Sequence, residues 1–372
     1  MTSTSQGEAG LRRGVKPAPM RLTSRLRGSV ASAGLKVIPW IPGPAKRALF
    51  GGRAVVIDGN TLDPTLQLML SGSRAVGIDG LVVDDDPVAS REQVRRTCLA
   101  MPGPQIHVDV EDISLPGPGG ELRARHYRPP QGGRAPLLVF FHGGGWVVGD
   151  LDTHDAFCRL TCRDAGIGVL SVDYRLAPEH PAPAAVEDAY AAFTWAYEHA
   201  AELGAAPGRV AVGGDSAGGN LATVVCHLAR DAGGPAPVLQ WLIYPRTDFT
   251  AQTRSLSLFA RGFMLTKRDM DFFEAQYLRR SDVDRTDPRV SPLLAESLSG
   301  LPPALIAVAG FDPLRDEGES YALALRAADV AVDLRCLGSL CHTFINAFQL
   351  GGGSAEGTGE LISALRAHLS RV

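Results

Sequence analysis

From Pro136 onward the chain alternates short apolar runs with helical patterns. The runs are "PLLVFF" (136–141), "GVLSVDY" (168–174), "RVAVGG" (209–214), "VLQWLIY" (238–244) and "ALIAVAG" (304–310). Helical periodicity lies between them, near 153–165, 183–203, 217–231 and 317–328. Strands buried on both faces of a parallel sheet read as continuous apolar runs. Strand and helix in alternation specify a doubly wound α/β sheet. "VAVDLRCL" (330–337) supplies a last strand and "ELISALRAHLSR" (360–371) a last helix. Upstream, "QIHVDVEDISL" and "GELRARHYRP" flank the turn-rich "PGPG" and alternate like strands. No crossover helix separates them, so they are expected to pair antiparallel.

Composition excludes several function classes. Of 372 residues, 45% are apolar and 21% charged, which is globular usage. A net charge of −3 gives no reason to expect a nucleic-acid partner. The charge is uneven, however. Residues 1–53 carry ten Lys/Arg and one acid, Glu8, a balance of +9 against −12 for the rest. No long apolar run follows these basic residues, so they are not read as a signal peptide. No stretch reaches the ~18 apolar residues of a membrane span, and a cytoplasmic protein is expected. Leu22, Leu26, Val30, Ala33 and Val37 recur at helical spacing among Arg21, Arg25 and Arg27. Such a helix suits either an anionic membrane surface, as a peripheral contact, or packing on the body of the protein. The six cysteines, without a secretory signal, are read as reduced thiols rather than a disulfide framework. Cys158 and Cys162 share a helix face, but no second ligand pair lies nearby, so no metal site is expected.

Domain organisation is read as a basic extension with cap helices over 1–60 and a catalytic domain over 61–372. "TLDPTLQLMLSG" starts a helix, with Asp63 as N-cap and Pro64 in the first turn. "SREQVRRTCLAM" is a second helix. Residues 246–300 break the strand–helix rhythm and are rich in phenylalanine. Thr266 caps a helix there, with Asp269 three residues on. Segments 61–104 and 246–300 are therefore expected to form a cap, the alternative being an ordinary surface hairpin.

The chemistry centres on "RVAVGGDSAGGNLATVV". Gly214-Asp215-Ser216-Ala217-Gly218 lies between a strand and a helix, the context that makes G-x-S-x-G a nucleophile elbow. Glycine on both sides lets the serine hold a strained turn at a helix N-terminus. "FFHGGGW" (140–146) ends an earlier strand, and its glycines bring backbone N–H groups close to a substrate. Gly143 and Gly144, with Ala217, are the expected oxyanion donors; His142 is read as shaping that loop. A serine nucleophile needs a base, and the base needs an orienting acid. Asp312 follows the strand "ALIAVAG", while Asp316, Glu317 and Glu319 look like first-turn helix residues. His342 follows the last strand; beyond it only His368 remains, in the terminal helix. Cys341 beside His342 is read as a packing thiol, since adjacent side chains on an extended chain point apart. Trp146, Phe263 and Phe344 are the candidate substrate-pocket residues.

With these motifs in place, the chain from about Leu62 resembles the bacterial hormone-sensitive-lipase-like (family IV) esterases. The resemblance rests on "HGGGW", "DYRLAPEHPAPAAVEDA", "GGDSAGGNLA", "GFDPLRDEGE" and "CHTF", in that order. Within that family it is similar to actinobacterial carboxylesterases with a basic N-terminal extension. The resemblance implies an α/β-hydrolase fold with a helical cap and a triad of Ser216, Asp312 and His342. It implies cleavage of short- to medium-chain acyl esters, a small-molecule ester as partner and no cofactor; a homodimer is compatible with it. It gives Arg175 and Glu179 a structural role in ion pairs. Thr343 departs from the family, which often has glycine after the histidine. A lipase acting on longer acyl glycerides is the alternative activity. A ligand-binding protein like the plant gibberellin receptors keeps the serine motif but lacks the histidine present here.

Overall fold

The structure is a computed structural model that describes residues 34–103, 105–130 and 134–371. Of the amphipathic pattern, Leu22, Leu26, Val30 and Ala33 lie outside the described residues. A 3₁₀ turn (Ile38–Trp40) leads into a helix α1 (Gly43–Ala48) and a hairpin of β1 (Val56–Ile57) and β2 (Asn60–Thr61). Two helices follow, α2 (Pro64–Ala75) and α3 (Pro87–Leu99). Both open as their sequences require: Asp63 accepts the N–H groups of Thr65 and Leu66, Asp86 that of Val88, and proline fills the first turn. The β1–β2 hairpin spans the expected division between residues 60 and 61.

Eight strands form the main sheet: β3 (Asp109–Gly117), β4 (Gly120–Arg128), β5 (Ala135–Phe141), β6 (Gly168–Val172), β7 (Ala205–Asp215), β8 (Gln240–Ile243), β9 (Ala304–Phe311) and β10 (Val332–Cys341). Their order across the sheet is β10-β9-β8-β7-β5-β6-β4-β3. β3 and β4 pair antiparallel, as does β4 with β6; the remaining pairs are parallel. Helices α4 (Asp155–Ala165), α5 (Ala184–Glu198) and α6 (Ala217–Asp231) make the crossovers β5–β6, β6–β7 and β7–β8, and α9 (Arg315–Ala327) makes β9–β10.

Period-2 alternation divides the core into two layers. Leu137, Val139 and Phe141 of β5 join Phe193, Leu221 and Leu325 of α5, α6 and α9. Leu138 and Phe140 join Phe157, Leu361 and Leu365 of α4 and a last helix, α10 (Gly352–Leu369). Both faces being covered explains why these strands carry no polar alternation.

α10 begins at Gly352 rather than at Glu360. Its first turns, "GGSAEGTG", bring glycines against β10 and the start of α2. A Cβ on Gly357 would lie 2.7 Å from Leu340, and the N–H of Gly353 donates to Asp63. The insertion 246–300 holds α7 (Arg254–Leu258), α8 (Lys267–Tyr277) and, among its described residues, no strand. Thr266 and Asp269 form the capping box, and Asp269 also accepts the N–H of Val82 at 2.9 Å. The insertion and the α2–α3 segment are thus joined over the sheet.

Candidate active site

β7 ends at Asp215 and α6 starts at Ala217, leaving Ser216 alone to make the turn, at φ 54° and ψ −114°. That backbone costs about 1–3 kcal/mol for a residue with a Cβ, so the surroundings must enforce it. They do so by contact. A Cβ on Gly218 would lie 1.8 Å from the carbonyl oxygen of Phe141, and one on Gly214 2.4 Å from it. The two glycines let α6 and β7 close against the end of β5.

His342 and Asp312 reach this turn from the ends of β10 and β9. Ser216 Oγ is 2.9 Å from His342 Nε2, and His342 Nδ1 is 2.7 Å from Asp312 Oδ2. Asp312 and His342 are fully buried, while Ser216 faces a cavity. With its Nδ1–H donated to the carboxylate, the imidazole presents a lone pair at Nε2 to the serine O–H. Asp316 is placed elsewhere and accepts the N–H of Ser255 at 2.8 Å.

The glycine loop corrects one expectation. The N–H of Gly143 donates to Asp215 Oδ1 at 2.7 Å, so it is not free for an oxyanion. The N–H groups of Gly144, Gly145 and Ala217 have no acceptor among the described residues and border the same cavity as Ser216. Gly144 holds φ 123°, and a Cβ there would lie 2.1 Å from the carbonyl of Val148. Counting glycines locates the loop but cannot tell which N–H is already engaged.

The family described as having an alpha/beta hydrolase fold matches residues 138–346. The chain belongs to that family. It is 74% identical, over the whole of both chains, to the carboxylic ester hydrolase LipN of Mycobacterium tuberculosis. It is 39% identical to an ethyl acetate hydrolase of Pseudomonas putida, over 82% of this chain and 97% of that one. Among solved structures, an esterase of Pyrobaculum calidifontis superposes with a TM-score of 0.76 at 40% identity, covering 82% of this chain and 98% of its own. The hormone-sensitive-lipase-like resemblance read from the motifs therefore holds.

In this α/β-hydrolase the residue between glycine and serine, Asp215, is itself built into the site. It is buried, accepts the Gly143 N–H at Oδ1, and the same oxygen lies 3.1 Å from His154 Nε2. Burial pushes its pKa up, but His154 and the Gly143 N–H outweigh that and leave it below the usual carboxylate value. Nothing in the motif announces this role. His142 stacks on Tyr174 with ring centroids 4.4 Å apart. Burial and then His154 pull it down to about 4, so it is a neutral packing residue, as its place before the glycines suggested.

The cavity is walled by both cap segments: Met69 and Leu70 of α2, Val94 and Thr97 of α3, and Leu265, Met270 and Phe273 of the insertion. Leu35, from the basic extension, lines it as well. Trp146 lines it too, stacked on Tyr277 at 4.4 Å. Phe263 and Phe344 do not, which corrects their assignment. Phe263 packs on Phe259 and Phe311, and Phe344 is buried edge-on to Tyr244. Thr343 borders the cavity at φ 63°, a conformation glycine would take without strain.

Glu317 stands in the first turn of α9, as expected, and makes contacts beyond that helix. It is fully buried and accepts from Arg246 Nη1 at 2.7 Å and from the N–H groups of Thr247 and Asp248. Burial raises its pKa to about 7, against the pull of Arg246. It thus fastens the helix after Asp312 to the start of the insertion. Arg175 and Glu179 do form ion pairs, Arg175 with Asp188 and Glu187, Glu179 with Arg91. All six cysteines are free thiols.

Proposed function

We propose that this chain is a serine carboxylesterase that cleaves short- to medium-chain acyl esters through an acyl-enzyme. The observation that carries the reading is the unbroken run Ser216–His342–Asp312 opening on an apolar cavity beside three unengaged N–H groups. Ser216 Oγ attacks the ester carbonyl while His342 Nε2 takes its proton. Charge developing on the carbonyl oxygen is met by the N–H groups of Gly144, Gly145 and Ala217. His342 then gives the proton to the leaving alcohol, and Asp312 stabilises the imidazolium. Water repeats the sequence on the acyl-enzyme. The names of LipN and of the ethyl acetate hydrolase support ester cleavage.

Release of p-nitrophenol from esters of acetate through palmitate tests both parts. Ser216→Ala should lower kcat by about 10⁴-fold or more. Wild-type kcat/KM should peak at or below about C8, as the resemblance implies. Equal rates for the two proteins would overturn the mechanism, and a maximum at C16 would make the enzyme a lipase.

We further infer a peripheral contact with anionic lipid. Val37, Trp40, Leu49 and Val56 are exposed, Trp40 by 84%. They share residues 34–57 with exposed Lys36, Arg47 and Arg53 and with no acid. Apolar and basic groups together suit a headgroup boundary. Co-sedimentation with phosphatidylglycerol vesicles should exceed that with phosphatidylcholine and fall in Trp40→Ser; equal sedimentation would end the inference.

A further inference from the structure

The cavity holds one ion-pair group that the ester chemistry above does not use. Arg246 follows β8 and is anchored at the elbow: its N–H reaches the carbonyl of Ser216 at 3.4 Å, and its own carbonyl accepts Asn220 Nδ2 at 2.8 Å. Its side chain is 10% exposed and lies over the ring of Phe249, 4.9 Å from the centroid. Nη1 is engaged by Glu317, but Nε and Nη2 donate to no acceptor among the described residues. Across from it stands Glu274 of α8, whose Oε2 is 3.9 Å from Arg246 Nη2. That is too far for a direct hydrogen bond. Arg285 also binds Glu274, its Nε 2.7 Å from Oε1 and its Nη2 donating to Oε2 at 3.4 Å, and Oε2 keeps a further lone pair. Arg246 and Glu274 both line the cavity that contains Ser216 and His342.

The charges and the spacing define what fits. Arg246 and Arg285 are each paired with a carboxyl group, Glu317 and Glu274, so no unpaired cation or anion stands ready for a carboxylate or an ammonium. The group offers instead a donor on one side of a gap and an acceptor on the other. An oxygen at about 2.8 Å from each spans 3.9 Å between them. Only a group that both accepts and donates satisfies both walls, and a hydroxyl does so with one atom. An alkyl chain in that gap would leave the guanidinium N–H and the carboxylate lone pair desolvated and unpaired, which is unfavourable.

We propose that Arg246 and Glu274 form a hydroxyl-binding subsite, so that the favoured esters carry a hydroxyl on their acyl or alcohol part. The proposal rests on the esterase reading. Two matched ester pairs test it by titration of released acid: methyl 6-hydroxyhexanoate against methyl heptanoate, and 4-hydroxybutyl acetate against pentyl acetate. In at least one pair the hydroxylated ester should have the higher kcat/KM, on the order of tenfold and carried mainly by KM. The pair that responds identifies the part of the ester that lies in the gap. In Glu274→Leu that ratio should fall to about one; Arg285 is 51% exposed and stays hydrated without its partner. Glu274→Gln, which keeps an acceptor of the same size, should retain part of the ratio and serves if the leucine variant does not fold. Ratios at or below one in both wild-type pairs overturn the subsite, as does a ratio that survives in Glu274→Leu. Failure of the esterase reading would show differently, as equal acid release by wild type and Ser216→Ala on all four esters.

Discussion

The elbow and the cavity walls obey different rules. At the elbow, backbone meets backbone: Gly214 and Gly218 abut the carbonyl of Phe141, and Ser216 occupies a conformation few residues tolerate. In the walls, side chains from α2, α3 and the insertion fill space that other side chains of similar size could also fill. Main-chain contacts admit almost no substitution, whereas packed side chains exchange at modest cost if volume is kept. The proposed chemistry thus sits on rigid sheet ends, inside walls whose side chains can exchange.

Glycine substitutions should break this contrast most sharply. Gly218→Ala should abolish activity and either prevent folding or lower stability by more than about 3 kcal/mol, because a Cβ 1.8 Å from a carbonyl has nowhere to move. Gly359→Ala, inside α10 with nothing within 4 Å of its new Cβ, should raise stability by about 0.5–1 kcal/mol. Urea denaturation of both variants, with activity at each midpoint, checks the pair; a folded, active Gly218→Ala protein would refute the steric account.

Acid should separate the two regions next. His126, His142 and His227 are all held down to about 4 by burial in the sheet layers. Between about 6.5 and 4 the unfolded chain binds protons at these residues and the folded one does not. Each therefore contributes stability that is present above pH 6.5 and lost as pH falls toward 4, on the order of 1–3 kcal/mol. Glu317, where the insertion joins α9, works in the opposite sense. Its pKa is raised to about 7, so its contribution is present at low pH and is lost as pH rises through 7. Denaturation midpoints from pH 4 to 8 should rise to a maximum near neutrality. A midpoint that stays flat from pH 6.5 to 4 would contradict the burial of the three histidines.

The smallest effect should distinguish two phenylalanines of the insertion. Phe273 lines the cavity, whereas Phe263 packs on Phe259 and Phe311. Phe273→Ala should move the preferred acyl chain to greater length. Phe263→Ala should lower stability and leave the chain-length profile in place. Identical profiles from the two variants would erase the distinction between wall and support.

The same division explains what could be read in advance. Ser216, Asp312 and His342 were legible because each stands at the end of a strand that the apolar runs mark. Thr266 and Asp63 were legible because caps are local. Phe263 and Phe344 were not, because which ring faces a cavity depends on neighbours far along the chain. Gly143 was misassigned for a related reason: its acceptor, Asp215, is 72 residues away. Glu317 was legible as a first-turn helix acid, but its burial was not, because the partners that enclose it lie about seventy residues away.

That bond between Gly143 and Asp215 has a consequence for heat. It ties the glycine loop, proposed to receive the oxyanion, to the residue next to Ser216, so neither can drift without the other. On warming, the centre should keep its shape until β5 and β7 part, and then lose it in one step. Any earlier change in which esters are accepted would report the walls loosening around a centre still assembled.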